Sequence, residues 1–223
     1  MEFTLIKPVS LRRRKKQSGL EALEFGLWAL LMLPAMIWTF LSGMNFIRYN
    51  KGGDVTRSAA MMYIKGADLT LAYNQRLLVR VANGLDLQVE TTPNSGVISN
   101  SLGSGLVVMT KIYYAGSGCG CTNANKYVIA ERIYAGNRSL VFNGSTVESF
   151  SGPPPTGIWN STSGVVSNYY TDSRAVASNA VATLWGSALA DGQFFYMVET
   201  FFKSPTFGAN PFDSSGVYNR VFM

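Results

Sequence analysis

Histidine is absent from all 223 residues. That alone excludes the Ser-His-Asp triad, Cys-His pairs, HExxH zinc sites and histidine-ligated haem. Charge is also scarce: Asp, Glu, Lys and Arg make up 14% of the chain, where a soluble domain carries about a quarter. With 47% apolar residues, this deficit argues against disorder and points to a membrane or to a surface that becomes buried. Cysteine is limited to Cys119 and Cys121, too few for a metal site and spaced unlike a redox or haem motif. No P-loop, dinucleotide-binding glycine pattern, nucleophile elbow or paired body carboxylates occur. The sequence therefore predicts a protein that is not an enzyme, with no cofactor and no metal.

What charge there is sits at the front. Lys7, Arg12, Arg13, Arg14, Lys15 and Lys16 face only Glu2 within residues 1–19, leaving 13 basic and 12 acidic side chains in the other 204. A nearly neutral body offers no footprint for a phosphate backbone, so the pI of about 9.4 does not signal nucleic acid.

Behind the basic run, Phe25 to Ile47 form 23 consecutive residues without formal charge. As a helix they extend roughly 35 Å, enough to cross a hydrocarbon core of about 30 Å. The charge asymmetry places the N-terminus in the cytoplasm and the body beyond the membrane. The apolar stretch is longer than that of a secretory signal peptide, and Leu41-Ser42-Gly43-Met44-Asn45 is a poor cleavage site. An uncleaved anchor is one reading. Gly19 followed at the fifth position by Glu24 supports another, because a carboxyl at the edge of a membrane helix requires solvation or a partner.

The order of basic leader, Gly19, Glu24 and apolar run resembles the class III signal of type IV pilins and pseudopilins. Four stretches narrow the resemblance to the TadE-like minor pilins of tight-adherence (Tad, or Flp) systems: Glu24-Phe25-Gly26-Leu27 with Leu33-Pro34, Asp54–Ala60, Tyr127–Asn137 and Leu189–Phe202. Leu20-Glu21-Ala22, which follow the leader, and Gln193 depart from the family pattern. The resemblance implies cleavage by a prepilin peptidase between Gly19 and Leu20, leaving 204 residues, with the apolar helix kept. It also implies that Glu24 pairs with the new α-amino group of a neighbouring subunit; the alternative is a Glu24 solvated among headgroups. Implied partners are the major Flp pilin, other minor pilins, inner-membrane Tad platform proteins and the lipid bilayer. The implied location is the bacterial inner membrane, single-pass, with the C-terminal domain periplasmic or carried into the pilus.

The expected fold is α+β: a long N-terminal transmembrane and stem helix, then an antiparallel sheet with one or two covering helices. The expected divisions are a leader over 1–19, a membrane helix over 20–48, a stem over 49–92 and a domain over 93–223. Ile64, Ala67, Leu71, Asn74, Leu78, Val81 and Leu85 recur at a period near 3.5, so the stem is predicted helical over Asp54–Asp86. Asp54 is its expected cap and Pro93 its close, and its stripe is expected to pack on the chain's own sheet. Gly105–Tyr114, Lys126–Tyr134, Gln193–Lys203 and Gly216–Phe222 are predicted strands. The third, apolar on both faces, belongs near the middle of a covered sheet. Its Glu199 is expected to be a semi-buried carboxyl paired with an arginine. Thr171–Leu189 is predicted helical behind an Asp172 cap, and Ser151–Gly157 is a stiff surface loop.

Outside the cytoplasm Cys119 and Cys121 are expected to be joined, as a small staple on a glycine-rich turn worth about 1.5 kcal/mol. Trp159, Tyr169 and Tyr170 form a candidate exposed aromatic patch. They carry the alternative function, an uncleaved membrane-anchored module that binds a surface polymer or glycan.

Overall fold

The computed structural model describes residues 18–89, 103–142, 145–186, 189–203 and 216–223. Residues 1–17 of the leader, Pro93, and Ser187 and Ala188 of the expected late helix lie outside the described residues. The chain divides into two compact units at Met44/Asn45. It is an α+β protein: one long apolar helix, an antiparallel four-stranded sheet and short helices.

The first helix, α1, runs Ser18–Ile64 without a break at Pro34 or at Gly52-Gly53. Between Gly19 and Ile47 no residue is buried, and this helix is long and apolar enough to cross a membrane. Further along, one face closes. Gly52, Val55, Thr56, Ala59, Ala60 and Tyr63 are all buried, at the three- and four-residue steps of a helical stripe. Gly66 stops the helix in a left-handed conformation, φ +76°. The Ala67 N–H returns to the Met62 carbonyl at 3.0 Å and the Gly66 N–H to that of Tyr63 at 3.1 Å, a Schellman closure.

The stem is therefore not helical throughout Asp54–Asp86. Asp54 is an exposed residue inside α1, not a cap. After the Gly66 turn, Asp68 accepts from the Thr70 N–H at 2.9 Å, and only Ala72–Val81 resumes as α2. The redirection changes which face is covered. Of the expected stripe Leu78 and Leu85 are buried but Ile64, Leu71 and Val81 are exposed, and Leu69, Gln75, Ala82 and Leu87 complete the buried face.

The sheet consists of β1 (Gly105–Ala115), β2 (Lys126–Gly136), β5 (Phe194–Lys203) and β6 (Gly216–Phe222); a separate two-residue pair joins β3 (Val141–Phe142) and β4 (Ser145–Thr146). Its order is β2-β1-β5-β6, every neighbour antiparallel. A register shift after Lys111 marks a bulge between β1 and β2. β5 sits inside the sheet, and its two faces enter different cores. Val198 and Phe202 meet Val55, Ala59, Ala60, Tyr63, Leu69 and Leu78 on the stem side. Phe195 and Met197 meet Val166, Ala175, Ala177 and Val181 on the other. Each fully buried Val, Leu or Phe contributes roughly 1.5–3 kcal/mol.

That second face is covered mainly by irregular chain. The stretch expected to be one helix is a 3₁₀ turn, Ser173–Ala175, followed by a seven-residue helix, α3 (Asn179–Trp185). Asp172 caps the former, and Ser178 caps the latter through the Ala180 N–H at 3.3 Å. Between them Val176 bridges Val128 of β2, which extends the backbone and ends helical propagation. Within the Ser151–Gly157 loop Ser151 and Pro155 are buried while Pro153, Thr156 and Gly157 are exposed, so the loop lies on the surface and closes over the sheet.

Candidate functional site

Gly19 and Leu20 form the first turn of α1, and Leu20 is 74% exposed. A Cβ on Gly19 would meet nothing within 4 Å. Glu24 lies one turn on, sharing a face with Leu20, and it too is exposed. No described residue forms an ion pair with Glu24.

The second notable site is a polar chain across the sheet face opposite the stem, one member from each strand. Arg132 of β2 is fully buried. Its Nε donates to Thr110 Oγ1 of β1 at 3.3 Å and its Nη1 to the Gly152 carbonyl at 2.6 Å. Its Nη2 donates to Ser151 Oγ. Ser151 and Ser149 join through their hydroxyls at 2.9 Å, and Ser149 donates to Glu199 of β5. With the Ser149 proton committed to Glu199, Ser151 is the donor in the serine pair. Glu199, also fully buried, accepts from the Phe150 N–H at 3.0 Å and from the Tyr218 hydroxyl of β6 at 2.7 Å. Burial, and next the Glu199 carboxyl, hold the Tyr218 pKa above that of an ordinary phenol.

This arrangement corrects the expected Glu199–arginine pair. Arg220 stands opposite Glu199 in register, yet its guanidinium carbon lies 3.8 Å from the Phe150 ring centroid. Arg132 reaches Glu199 only through two serines. A buried charge is tolerated only with such complete satisfaction, so the chain locks the 149–152 loop onto all four strands. Arg132, Thr110, Ser151 and Glu199 are buried, whereas Tyr218 is exposed at the end of this polar chain. Of these residues only Glu199 was legible as special; Arg132 and Tyr218 sit in strand patterns, and the serines belong to a loop distant in sequence.

Cys119 and Cys121 are joined in a disulfide with Cα atoms 5.2 Å apart. Cys119 ends a 3₁₀ turn, Ser117–Cys119, and Gly120 between them is left-handed. The turn is also tied down elsewhere. The Gly116 N–H donates to Asp191 at 2.6 Å, and buried Asn123 donates to the Tyr169 and Asp172 carbonyls at 2.9 and 2.8 Å.

Beside this turn, Tyr113 packs its ring on Tyr169, Tyr170 and Phe194, with centroids 5.7, 5.3 and 5.0 Å away. Lys111 Nζ lies 4.4 Å above Phe194. Trp159 is not part of this group. It is half-buried, donates its indole N–H to the Arg132 carbonyl at 3.0 Å and packs edge-on to Tyr134 at 5.7 Å. The three aromatics singled out in the sequence are thus divided between two places, and Tyr113 and Phe194 join the tyrosine pair.

Among the described residues no group of three or more Cys, Asp or Glu is placed to hold a metal ion. An open cleft of about 490 Å³ lies among Asp86, Gln88, Ser104, Asn137 and Lys203. Its one carboxyl is already engaged: Asp86 accepts from the Ser104 N–H and hydroxyl, each at 2.9 Å, and from Gln88 at 2.7 Å. Compared with known protein families, curated proteins and solved structures, the chain matches none.

Proposed function

We propose that this chain is a minor pseudopilin of the tight-adherence type. In this reading it is processed after Gly19, held in the inner membrane by the first part of α1, and initiates or assembles a Flp-type pilus. The observation that carries the reading is the run of basic leader, Gly19, Glu24 and uncharged residues at the head of one continuous helix. A prepilin peptidase acts on it first; the major pilin, other minor pilins and the platform proteins of the inner membrane are its later partners. Removal of the leader leaves an α-amino cation on Leu20 and an anion four residues on. In the low dielectric of a helix bundle, each charge is best satisfied by the opposite charge of the neighbouring subunit.

The test is intact mass and N-terminal sequence of the membrane-extracted protein, from cells with and without prepilin peptidase. A chain that begins at Leu20 only when the peptidase is present is the expected result; a chain that begins at Met1 in both sinks the reading. Glu24→Ala is expected to be cleaved normally but to be depleted from the pilus fraction.

One observation favours a second reading, an uncleaved anchored module that binds a surface polymer or glycan. Tyr170 and Phe194, both packed on Tyr113, are 42% and 40% exposed, which leaves aromatic surface open to the apolar face of a ligand. Glycan-array binding that is lost in Tyr170→Ala would support it, and no binding by the wild-type chain would remove it.

A further inference from the structure

The Cys119–Cys121 bond contributes little to holding the fold. Loop closure stabilises a disulfide in proportion to the logarithm of loop length, and this one joins residues only two apart. A pair on which the fold depends so little can open without unfolding the domain, and a disulfide on an exposed turn belongs with the labile, exchangeable kind rather than the resistant structural kind. Its turn is fixed without it, by Asp191 on the Gly116 N–H and by Asn123 on two carbonyls. Ser117, Gly118, Gly120 and Thr122 around it are exposed, and both cysteines are half-buried, so a partner thiolate can reach a sulfur. The chain has no third cysteine, so any exchange is with another molecule.

We propose that Cys119–Cys121 is a thiol–disulfide exchange site that takes two electrons from a dithiol of a partner protein. The two sulfurs are not equivalent. The Cys121 N–H donates to Cys119 Sγ at 3.3 Å, which stabilises negative charge on Cys119 and makes it the better leaving group. A partner thiolate attacks Cys121 Sγ; the Cys119–Cys121 bond breaks, and Cys119 leaves as thiolate. The partner's second thiolate then attacks its own sulfur in the mixed disulfide and releases Cys121. The partner departs with a disulfide, its two thiol protons pass through solvent to Cys119 and Cys121, and glutathione disulfide restores the bond while becoming two glutathione thiols.

The site is independent of cleavage after Gly19, so the full-length protein in detergent is the test material. It is equilibrated in a series of glutathione buffers, quenched with acid, alkylated and weighed. A reference protein whose single disulfide is buried and structural shares each tube. The reduced-to-oxidised ratio of the Cys119–Cys121 pair is expected to exceed that of the reference by about tenfold or more, as for an exchangeable rather than a resistant structural disulfide. A dithiol peptide is expected to be oxidised at one equivalent per chain, and Cys119→Ser/Cys121→Ser to abolish that oxidation with an unchanged circular dichroism spectrum. A pair that stays oxidised where the reference is reduced overturns the proposal. So does loss of the fold in the double variant, which would make the bond a structural staple.

Discussion

Glu131 gives this domain one pH-dependent contribution to its stability. It lies on β2, opposite Lys111 in register, with Tyr63 and Asp68 as the other titratable groups near it. Burial raises its pKa, and the Tyr63 phenol and Lys111 only partly counter this. The Tyr63 hydroxyl is close enough to shift the titration of both groups yet outside hydrogen-bonding geometry. A carboxyl whose pKa rises on folding binds protons more tightly in the folded state. The unfolded chain then loses its proton first, and stability falls as pH climbs from the ordinary carboxylate value to the folded one. Glu131→Gln is therefore expected to leave stability at pH 3 unchanged and to raise it at pH 7, measured by urea melts at both pH values. Equal destabilisation at both would show that the carboxyl acts as a packing group instead. Asp172 has the opposite sign: the Arg174 side chain lowers it to about 2, so its contribution is present at neutral pH and fades in acid. Glu199 marks the limit of reading single residues. Its β5 position announced a buried carboxyl, but its partners Ser149 and Phe150 come from a loop some fifty residues away, which no local pattern encodes.

At the scale of elements, the strands were legible and the stem was not. Alternating apolar residues between glycine-rich turns place the four strands of the larger sheet to within two residues of their observed limits, but not the two-residue β3 and β4. The docking face of the first helix was hard to read from hydrophobicity, because Gly52, Thr56, Ala59 and Ala60 share it with its two larger apolar residues, Val55 and Tyr63. Small residues serve here because the helix approaches the sheet closely. Thr56 Oγ1 lies 2.7 Å from Thr200 Oγ1 and donates to the Gly52 carbonyl at 2.7 Å. A Cβ on Gly52 would stand 2.6 Å from Asn219 Nδ2 and 3.1 Å from Val217 Cγ1, whereas one on Gly53 would have nothing nearer than 3.9 Å. The adjacent glycines should thus respond in opposite directions. Gly53→Ala is expected to stabilise by up to about 1 kcal/mol through helix propensity. Gly52→Leu is expected to cost roughly 1–3 kcal/mol by overpacking, with Gly52→Ala in between because the Asn219 amide can swing aside. Denaturant melts of the three variants decide it; a Gly52→Leu protein as stable as the wild type would mean that the helix does not dock this closely.

For the whole molecule, the question is how much of the long helix belongs to the domain. The compact unit begins at Asn45, inside α1 and ahead of its first buried residue, Gly52. The membrane-length segment and the domain's structural helix are therefore parts of one element, and a boundary placed at its end, Ile64, would cut into the core. Val55, Ala59, Ala60 and Tyr63 cover Val107, Met109, Val198 and Phe202, and Tyr63 meets Tyr196 edge-on at 5.1 Å. Losing that layer forfeits on the order of 5 kcal/mol of apolar burial, comparable with the entire stability of a typical domain. A fragment of residues 45–223, exported to an oxidising compartment, is expected to be monomeric and to melt cooperatively. A fragment of residues 65–223 is expected to aggregate, because one face of its sheet is left bare. Size-exclusion chromatography and thermal melts of the two fragments separate the cases. If the shorter fragment were equally stable, α1 would be a tether beside the domain rather than part of its core. If the longer one also aggregated, the domain would depend on the membrane segment itself.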